Sequence, residues 1–454
     1  MTAVASAETS PNTTSGAGFV AWYAAIFLTL AATLSTVDRQ ILALMIGPIK
    51  RDFSVTDSQI GLLGGLAFTL LYTFATLPAA WLADRGSRRW VAAGGMVFWS
   101  LMTAACGLTQ RFSTLFLARM GVGVGESTLA PAAYSMLSDL FPKRTLPAAL
   151  GLFNTAPFLG VAFANIIGGQ VIAHFEAGAP IVLPLLGVVK SWQIMFLLLG
   201  IPGVLLAVIG WASLREPLRR GRAVGEQPLT LAQIGTFLNG RRRFLVLHFV
   251  AYIALSIQGW CLFFWIVEFL VRQRGMARAE AGFDYGVMAL GLGLSGSIVA
   301  GQIASRFNAH ATADTTLRMV LYSVLVLGPL AVLMPLVSQT WQTLSLLVPI
   351  TFLMAWPGGL GLSALQFIAP NELKGRIIAL YMLVVNGISL TLGPYLGGLI
   401  SDRVFDGKSL GASLSLMASI DYPVAAICLW ACLGPFRKAR EKAQAWDRPT
   451  PGDA

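Results

Sequence analysis

Apolar residues run along this chain in long, nearly unbroken blocks, separated by short polar and basic clusters. Twelve such blocks can be drawn, at roughly 20–47, 59–83, 90–109, 112–138, 146–173, 191–213, 243–270, 282–304, 317–338, 341–368, 375–401 and 415–436. A helix needs about 20 apolar residues to cross hydrocarbon, and most blocks exceed that length. The excess predicts helices that are tilted or bent. Pro157, Pro202, Pro329, Pro357 and Pro394 fall inside blocks, where neighbouring helices can compensate for lost backbone bonds. The pattern predicts an all-α integral membrane fold of twelve transmembrane helices.

Composition agrees and narrows the options. Of 454 residues 56% are hydrophobic and 12% charged, about half the charged fraction of a soluble globular protein, which excludes a water-soluble multidomain enzyme. The net charge of +11 comes from 32 Lys+Arg against 21 Asp+Glu, a balance that in a soluble chain would suggest nucleic acid. Here the basic residues sit between apolar blocks instead. If the N-terminus is inside, the inner segments, counted with the block edges, carry 21 Lys and Arg, the outer loops 9, and Arg39 and Arg119 lie deep within blocks. That asymmetry predicts both termini on the cytoplasmic side of a bacterial inner membrane, with no nucleic-acid partner.

The longest inner connection, 214–242, divides six blocks from six. Expected units are a disordered tail at 1–18, a six-helix half at 19–213, this linker, a second half at 243–436 and a tail at 437–454. Within the linker Leu229, Leu231, Ile234, Phe237 and Leu238 follow Pro228 in a helical pattern, predicting a short interfacial helix. The first tail has no Lys or Arg, so it is not read as a signal peptide. Cys106, Cys261, Cys428 and Cys432 lie in apolar surroundings and read as small buried hydrophobes. His174, His248 and His310 have no partner at ligand or triad spacing. No Walker lysine is present, and no cofactor is expected. Gly291-Leu-Gly-Leu-Ser-Gly296 spells a nucleotide fingerprint but lies within an apolar block. It and Gly121, Gly123 and Gly125 read as sites of close helix packing.

The halves echo each other. The second-to-third connection reads Ala80-Trp-Leu-Ala-Asp84-Arg85-Gly-Ser-Arg88-Arg89, and the matching place in the second half reads Gly301-Gln-Ile-Ala-Ser305-Arg306. The fifth block holds Gly151, Gly160, Gly168 and Gly169, and the eleventh holds Gly393, Gly397 and Gly398. Two similar six-helix halves are a transporter plan.

The stretch 80–89 resembles the cytoplasmic signature of the major facilitator superfamily, G-x-L-A-D-R-x-G-R-R, with Ala80 and Ser87 replacing two glycines. Residues 151–169 are similar to the glycine-rich fifth-helix motif of the superfamily's antiporters, with Ala164-Asn165 replacing its Gly-Pro. Val37-Asp38-Arg39, Asp57-Ser58, the run from Arg119 to Glu126, Pro131 and Asp139-Leu-Phe-Pro142 look like the Spinster subfamily. The superfamily resemblance covers the whole chain, and the subfamily resemblance rests mainly on residues 37–144. The latter implies flux of lysophospholipids or sphingoid-type lipids.

Charges inside a membrane cost at least about 2.5–3.5 kcal/mol each at a helix centre, so those present invite a role. Asp38, Arg39, Arg119 and Glu126 lie in the first half. A bland reading makes them two ion pairs holding helices one and four together, and the sharper reading is a substrate and proton site. Asp38 and Arg119 lie at similar depth and can pair, whereas Glu126 stands two turns beyond Arg119 without a committed cation. Glu126 is therefore expected to carry the proton, with Asp38 tuning the site. Arg39 and Arg119 can hold a phosphate or carboxylate in bidentate fashion. Asn154 of the first half, with Trp260 and Asn386 of the second, where aromatics and neutral polar groups prevail, completes the candidate substrate contacts. Asp84, Arg85, Arg88 and Arg89 are read as an inner latch.

The expected protein is a monomeric, proton-coupled secondary transporter, not an enzyme. Its expected partners are membrane lipids, protons and a small amphiphile. An organic-anion symporter is the alternative, since related symporters carry similar charges in helices one and four. A non-transporting receptor on the same fold is a third reading, which a missing proton-site residue would favour.

Overall fold

The computed structural model describes residues 18–142, 144–177, 181–183, 187–219, 231–308 and 314–444. Most of both expected tails, His310, and Pro228 and Leu229 of the linker lie outside the described residues.

Eleven helical stretches are long and apolar enough to cross a membrane. In chain order they are α1 (Phe19–Leu44), α2 (Asp57–Arg85), α3 (Arg88–Gly107), α5 (Leu146–Phe175), α6 (Ser191–Ser213), α7 (Arg242–Arg274), α8 (Arg278–Arg306), α9 (Thr315–Leu333), α10 (Thr340–Ile368), α11 (Leu373–Val404) and α12 (Leu410–Ala443). The twelfth span, α4, is split into Phe112–Glu126 and Leu129–Leu140. The sequence pattern gave one continuous helix there. Pro131 has no N–H to offer the carbonyl of Ser127, and the Ser127 and Thr128 hydroxyls cap carbonyls three residues back at 2.7 and 2.9 Å. Pro157 and Pro357 act alike, each following a break, at Asn154–Thr155 and at Ala355. Pro202, Pro329 and Pro394 stay within continuous helix.

Local chemistry fixes other starts. Thr56 and Gln59 form a reciprocal capping box at the head of α2. A short helix, Leu231–Gly240, precedes α7. One element departs from an all-helical expectation: strands β1 (Ile181–Leu183) and β2 (Gly187–Val189) pair antiparallel between α5 and α6. Gly187 takes φ +69° in that hairpin, a value a residue without Cβ adopts at little cost.

Small residues let the helices approach closely, the packing device available where lipid is as apolar as leucine. A Cβ on Gly125 would lie 2.6 Å from the Trp99 nitrogen of α3, and one on Gly123 would strike the Phe68 carbonyl of α2. A Cβ on Gly393 of α11 would lie 2.7 Å from the Ile257 carbonyl of α7. These contacts bear out the packing role read for the first glycine series. Of the second, Gly293 meets Phe158 and Gly296 meets Phe352, while Gly291 faces open space. Single π-helical turns interrupt α5 at Ala164–Gly168, α8 at Ala289–Gly293 and α11 at Met382–Asn386.

At the end carrying the α1–α2 connection, called here the far end, the halves are zipped together. Buried Asp57 takes two bonds from Arg272 of α7, at 2.9 and 3.0 Å, and one from Ser401 of α11 at 3.0 Å. Asp402 of α11 accepts the backbone N–H of Ser58 at 2.6 Å, an anion on the first turn of α2. Arg278 of α8 donates to the Leu44 carbonyl at 3.0 Å and pairs with Glu268 at 2.9 Å. At the opposite, terminal end, charged side chains bind within their own half, as Arg437 does with Asp314 at 2.7 Å.

Candidate functional site

Helix α1 brings Ser35, Asp38 and Arg39 onto adjoining faces one turn apart, against the first piece of α4. Arg119 and Asp38 form the inner pair, Nη1 to Oδ1 at 2.9 Å, with side-chain exposures of 1% and 3%. Thr103 of α3 donates its hydroxyl to the other Asp38 oxygen. Two turns further along α4, Glu126 accepts the Ser35 hydroxyl at 2.6 Å and lies 3.4 Å from the Arg39 Nε. Its second oxygen is buried without a partner. Arg39 itself is 28% exposed and sits 5.4 Å above the Phe68 ring, which stacks on Tyr72 at 5.2 Å.

Two expectations need correction. Glu126 does not lack a cation, because the turn of α1 that places Asp38 on Arg119 swings Arg39 the other way, onto Glu126. Arg119 is not placed to hold a headgroup, since it is sealed in the protein and its charge is spent on Asp38. Arg39 is the cation of this cluster that remains open.

The remaining predicted contacts are scattered around that centre. Gln40 of α1 bonds the Phe263 carbonyl of α7 at 3.1 Å, and Phe263 packs edge-on against half-buried Trp260 at 5.7 Å. Asn154, exposed at the break in α5, accepts from Tyr134 at 3.1 Å. Asn386, exposed at the end of the π turn in α11, points its amide at Met382 sulfur at 3.0 Å, and the next residue approaches Thr73 of α2.

The predicted latch is not closed across the halves. Arg88 is buried and bound inside the first half, to Asp139 of α4, to Glu216 at 2.8 Å and to the Pro217 carbonyl at 2.7 Å. Glu216 also takes the Arg89 N–H at 3.0 Å and the Ser87 hydroxyl at 2.7 Å. Burial raises its carboxyl, but these donors outweigh that and hold it below the ordinary glutamate value. Arg85 lies over Trp81 at 4.5 Å, and Asp84 is exposed and forms no hydrogen bond or ion pair among the described residues. The acids that engage these arginines are Asp139 and Glu216, not Asp84.

Sequence reading missed Ser35, Thr103, Phe68, Glu216 and the far-end network of Arg272, Glu268, Arg278 and Asp402. Single hydroxyls and aromatics carry no spacing signal, and the network residues sit at span ends, where charge is ordinary.

The profile of the Major Facilitator Superfamily matches residues 28–394. The chain belongs to that superfamily. It is 29% identical over 429 residues to an MFS-type efflux pump of Mycolicibacterium smegmatis, covering 92% of this chain and 94% of that one. It is 23% identical to a probable galactarate/D-glucarate transporter of Bacillus subtilis, over 94% of this chain and 95% of the other. Among solved structures it is similar to a bacterial homologue of the human lysosomal transporter Spinster, in an inward-facing, unoccupied conformation. The TM-score is 0.77 at 23% identity, over 96% of this chain and all of the other. This membrane protein is a transporter and not an enzyme.

Proposed function

We propose that this transporter is proton-coupled, works by alternating access and moves an amphiphilic, lipid-like anion. The carrying observation is the Arg39–Glu126 pair, in which a buried acid with one oxygen unpartnered holds a partly open arginine at 3.4 Å. A proton taken by Glu126 cancels the charge that holds Arg39. The guanidinium is then available to a phosphate or carboxylate in bidentate fashion. Asp38 keeps Arg119 neutralised throughout, so the cluster gains no second competing cation. With the terminal end cytoplasmic, as the basic-residue asymmetry predicts, the far-end zipper closes the outside and the site opens inward.

An amphiphile suits a single open arginine stacked on Phe68, with Trp260 and Phe263 presented by the other half next to Gln40. Its headgroup gains about 1.5–3 kcal/mol from a charge-assisted bond, and each buried methylene adds about 0.8 kcal/mol. A small sugar acid would need several polar partners, and it is the substrate class of the Bacillus relative, so it stands as the second reading.

Two measurements test this. In proteoliposomes Glu126→Gln should fold and abolish most of the pH dependence of flux, because Gln keeps size and polarity but cannot cycle a proton. Unchanged pH dependence removes Glu126 from the coupling. In competition binding, lysolipid affinity should rise with chain length at fixed headgroup. Flat affinity with tight binding of a short hydroxy-acid would replace the lipid by an organic anion.

A further inference from the structure

On the terminal end of the second half, away from Arg39 and Glu126, α7 and α12 enclose a recess of about 700 Å³. Arg242 and Arg243, on the first turn of α7, line one side, and Lys438 and Lys442, on the last turns of α12, line the other. All four side chains are exposed. Lys438 and Lys442 are four apart and therefore share a helix face. The neighbouring basic residues are otherwise engaged: Arg437 binds Asp314 at 2.7 Å, and Arg241 stacks on the Phe237 ring at 4.2 Å. Glu441, exposed on the same stretch of α12, is not part of the lining. Besides Arg241 of its lining, which stacks on Phe237, the recess therefore gathers four cations and no acid.

Its floor is of another kind. Trp430 is 71% exposed, and beside it Gly434 leaves open space where a side chain would stand. Trp430 lies two helical turns before Lys438, about 12 Å along the axis. Aromatic side chains of this type concentrate at membrane–water boundaries. The recess thus stacks an apolar, aromatic lower part beneath a cationic rim, and basic pockets between helices take anionic lipid headgroups. Like charges facing each other across a groove repel, and an anion between them relieves that repulsion.

We propose that this recess binds one anionic phospholipid of the surrounding bilayer. Its phosphate sits between Arg242/Arg243 and Lys438/Lys442, and an acyl chain lies along Trp430 and the gap at Gly434. Both walls belong to the same half, so the lipid would stay bound while the halves move against each other. This site is independent of the transport site and of the substrate reading.

The test is native mass spectrometry of the full-length protein in detergent, titrated with dioleoyl phosphatidylglycerol or dioleoyl phosphatidylcholine. The wild type should retain phosphatidylglycerol preferentially. Each charge near a membrane surface contributes about fivefold to anionic lipid binding, so Arg242→Gln with Lys438→Gln should lose about 25-fold. Gly434→Leu keeps all four charges but fills the gap, and it should lose the same lipid. Equal retention of both lipids by the wild type would overturn the proposal. So would phosphatidylglycerol retention by folded Gly434→Leu matching the wild type, or full displacement by equimolar inorganic phosphate, which would make this a simple anion site. If the double variant fails to fold, Gly434→Leu decides alone.

Discussion

Replacing Arg119 by methionine separates a structural charge from a binding one. Arg119 and Asp38 are both nearly sealed, and their 2.9 Å contact is supported by the Thr103 hydroxyl on the other carboxylate oxygen. Removing one member of such a pair strands a charge in a low-dielectric interior, which costs about 3–5 kcal/mol. Adding Asp38→Asn removes the stranded charge while keeping an acceptor for Thr103, so the double variant should recover most of that loss. Arg39→Gln should behave differently. Its side chain is 28% exposed, and a solvent-screened pair contributes about 1 kcal/mol or less. It should therefore fold normally and lose anion affinity. Stability can be read from detergent-driven unfolding in mixed micelles by tryptophan fluorescence, and affinity by competition binding. If Arg119→Met unfolds like the wild type and abolishes anion binding, Arg119 touches the substrate and the division of labour drawn here is wrong.

Three further outcomes follow from named contacts. Glu216 is held below its ordinary value, so its clasp on Arg88 and Arg89 is intact above the unfolded carboxyl's range and is lost as pH falls through the lowered folded value. Glu216→Gln should cost about 1 kcal/mol near neutrality, screened as its carboxylate is, and flatten the acid limb of a melting-temperature profile, and an unchanged limb would discount the clasp. A Cβ on Gly61 would meet the Pro394 carbonyl and stand 2.8 Å from Tyr395 Cα. Gly61→Val should thus pry the far end open and raise thiol labelling of a cysteine at buried Ile60, and unaltered labelling would contradict the zipper. For sidedness, a single cysteine replacing Lys408, 82% exposed at the far end, should react with an impermeant reagent on intact cells. One replacing Lys438 should react only after the cytoplasmic face is opened, and the reverse pattern would invert the topology.

The spans were legible because hydropathy is a sum over many residues and survives local error. Depth was legible too: counting residues inward from the basic ends placed Asp38 level with Arg119, and they pair. Rotation was not. Asp38 and Arg39 are consecutive, so about 100° of helix separates them, and Asp38 faces Thr103 and Arg119 while Arg39 turns to Glu126, two turns further along α4. No count along the chain says which carboxylate each arginine takes. The break in α4 was hidden for a related reason, since Pro131 withdraws a hydrogen bond from Ser127, four residues upstream, inside a block whose summed hydropathy still reads as one span. Glu216 was invisible because an acid in a basic linker looks like solvent-exposed charge until Arg88 is seen buried beside it.

The two kinds of ionic contact in this molecule imply how the halves can move. The Asp38–Arg119 and Arg39–Glu126 pairs join α1 to α4 within one half, as the Arg88 clasp joins α3 to α4 and the segment after α6. A rocking motion leaves all of these intact. The far-end network instead links α2 to α7 and α11 across the halves. Breaking it returns Asp57, Arg272 and Asp402 to water, whose hydration offsets much of the lost attraction. The motion proposed here therefore has a cheap seam at that end and rigid blocks on either side. The proton chemistry proposed at Glu126 would travel wholly with the first block, and Trp260 and Phe263 with the second. A substrate whose head takes Arg39 and whose tail lies on those aromatics would bridge the blocks. That bridge, rather than the proton alone, is what would bias the halves toward closing around it.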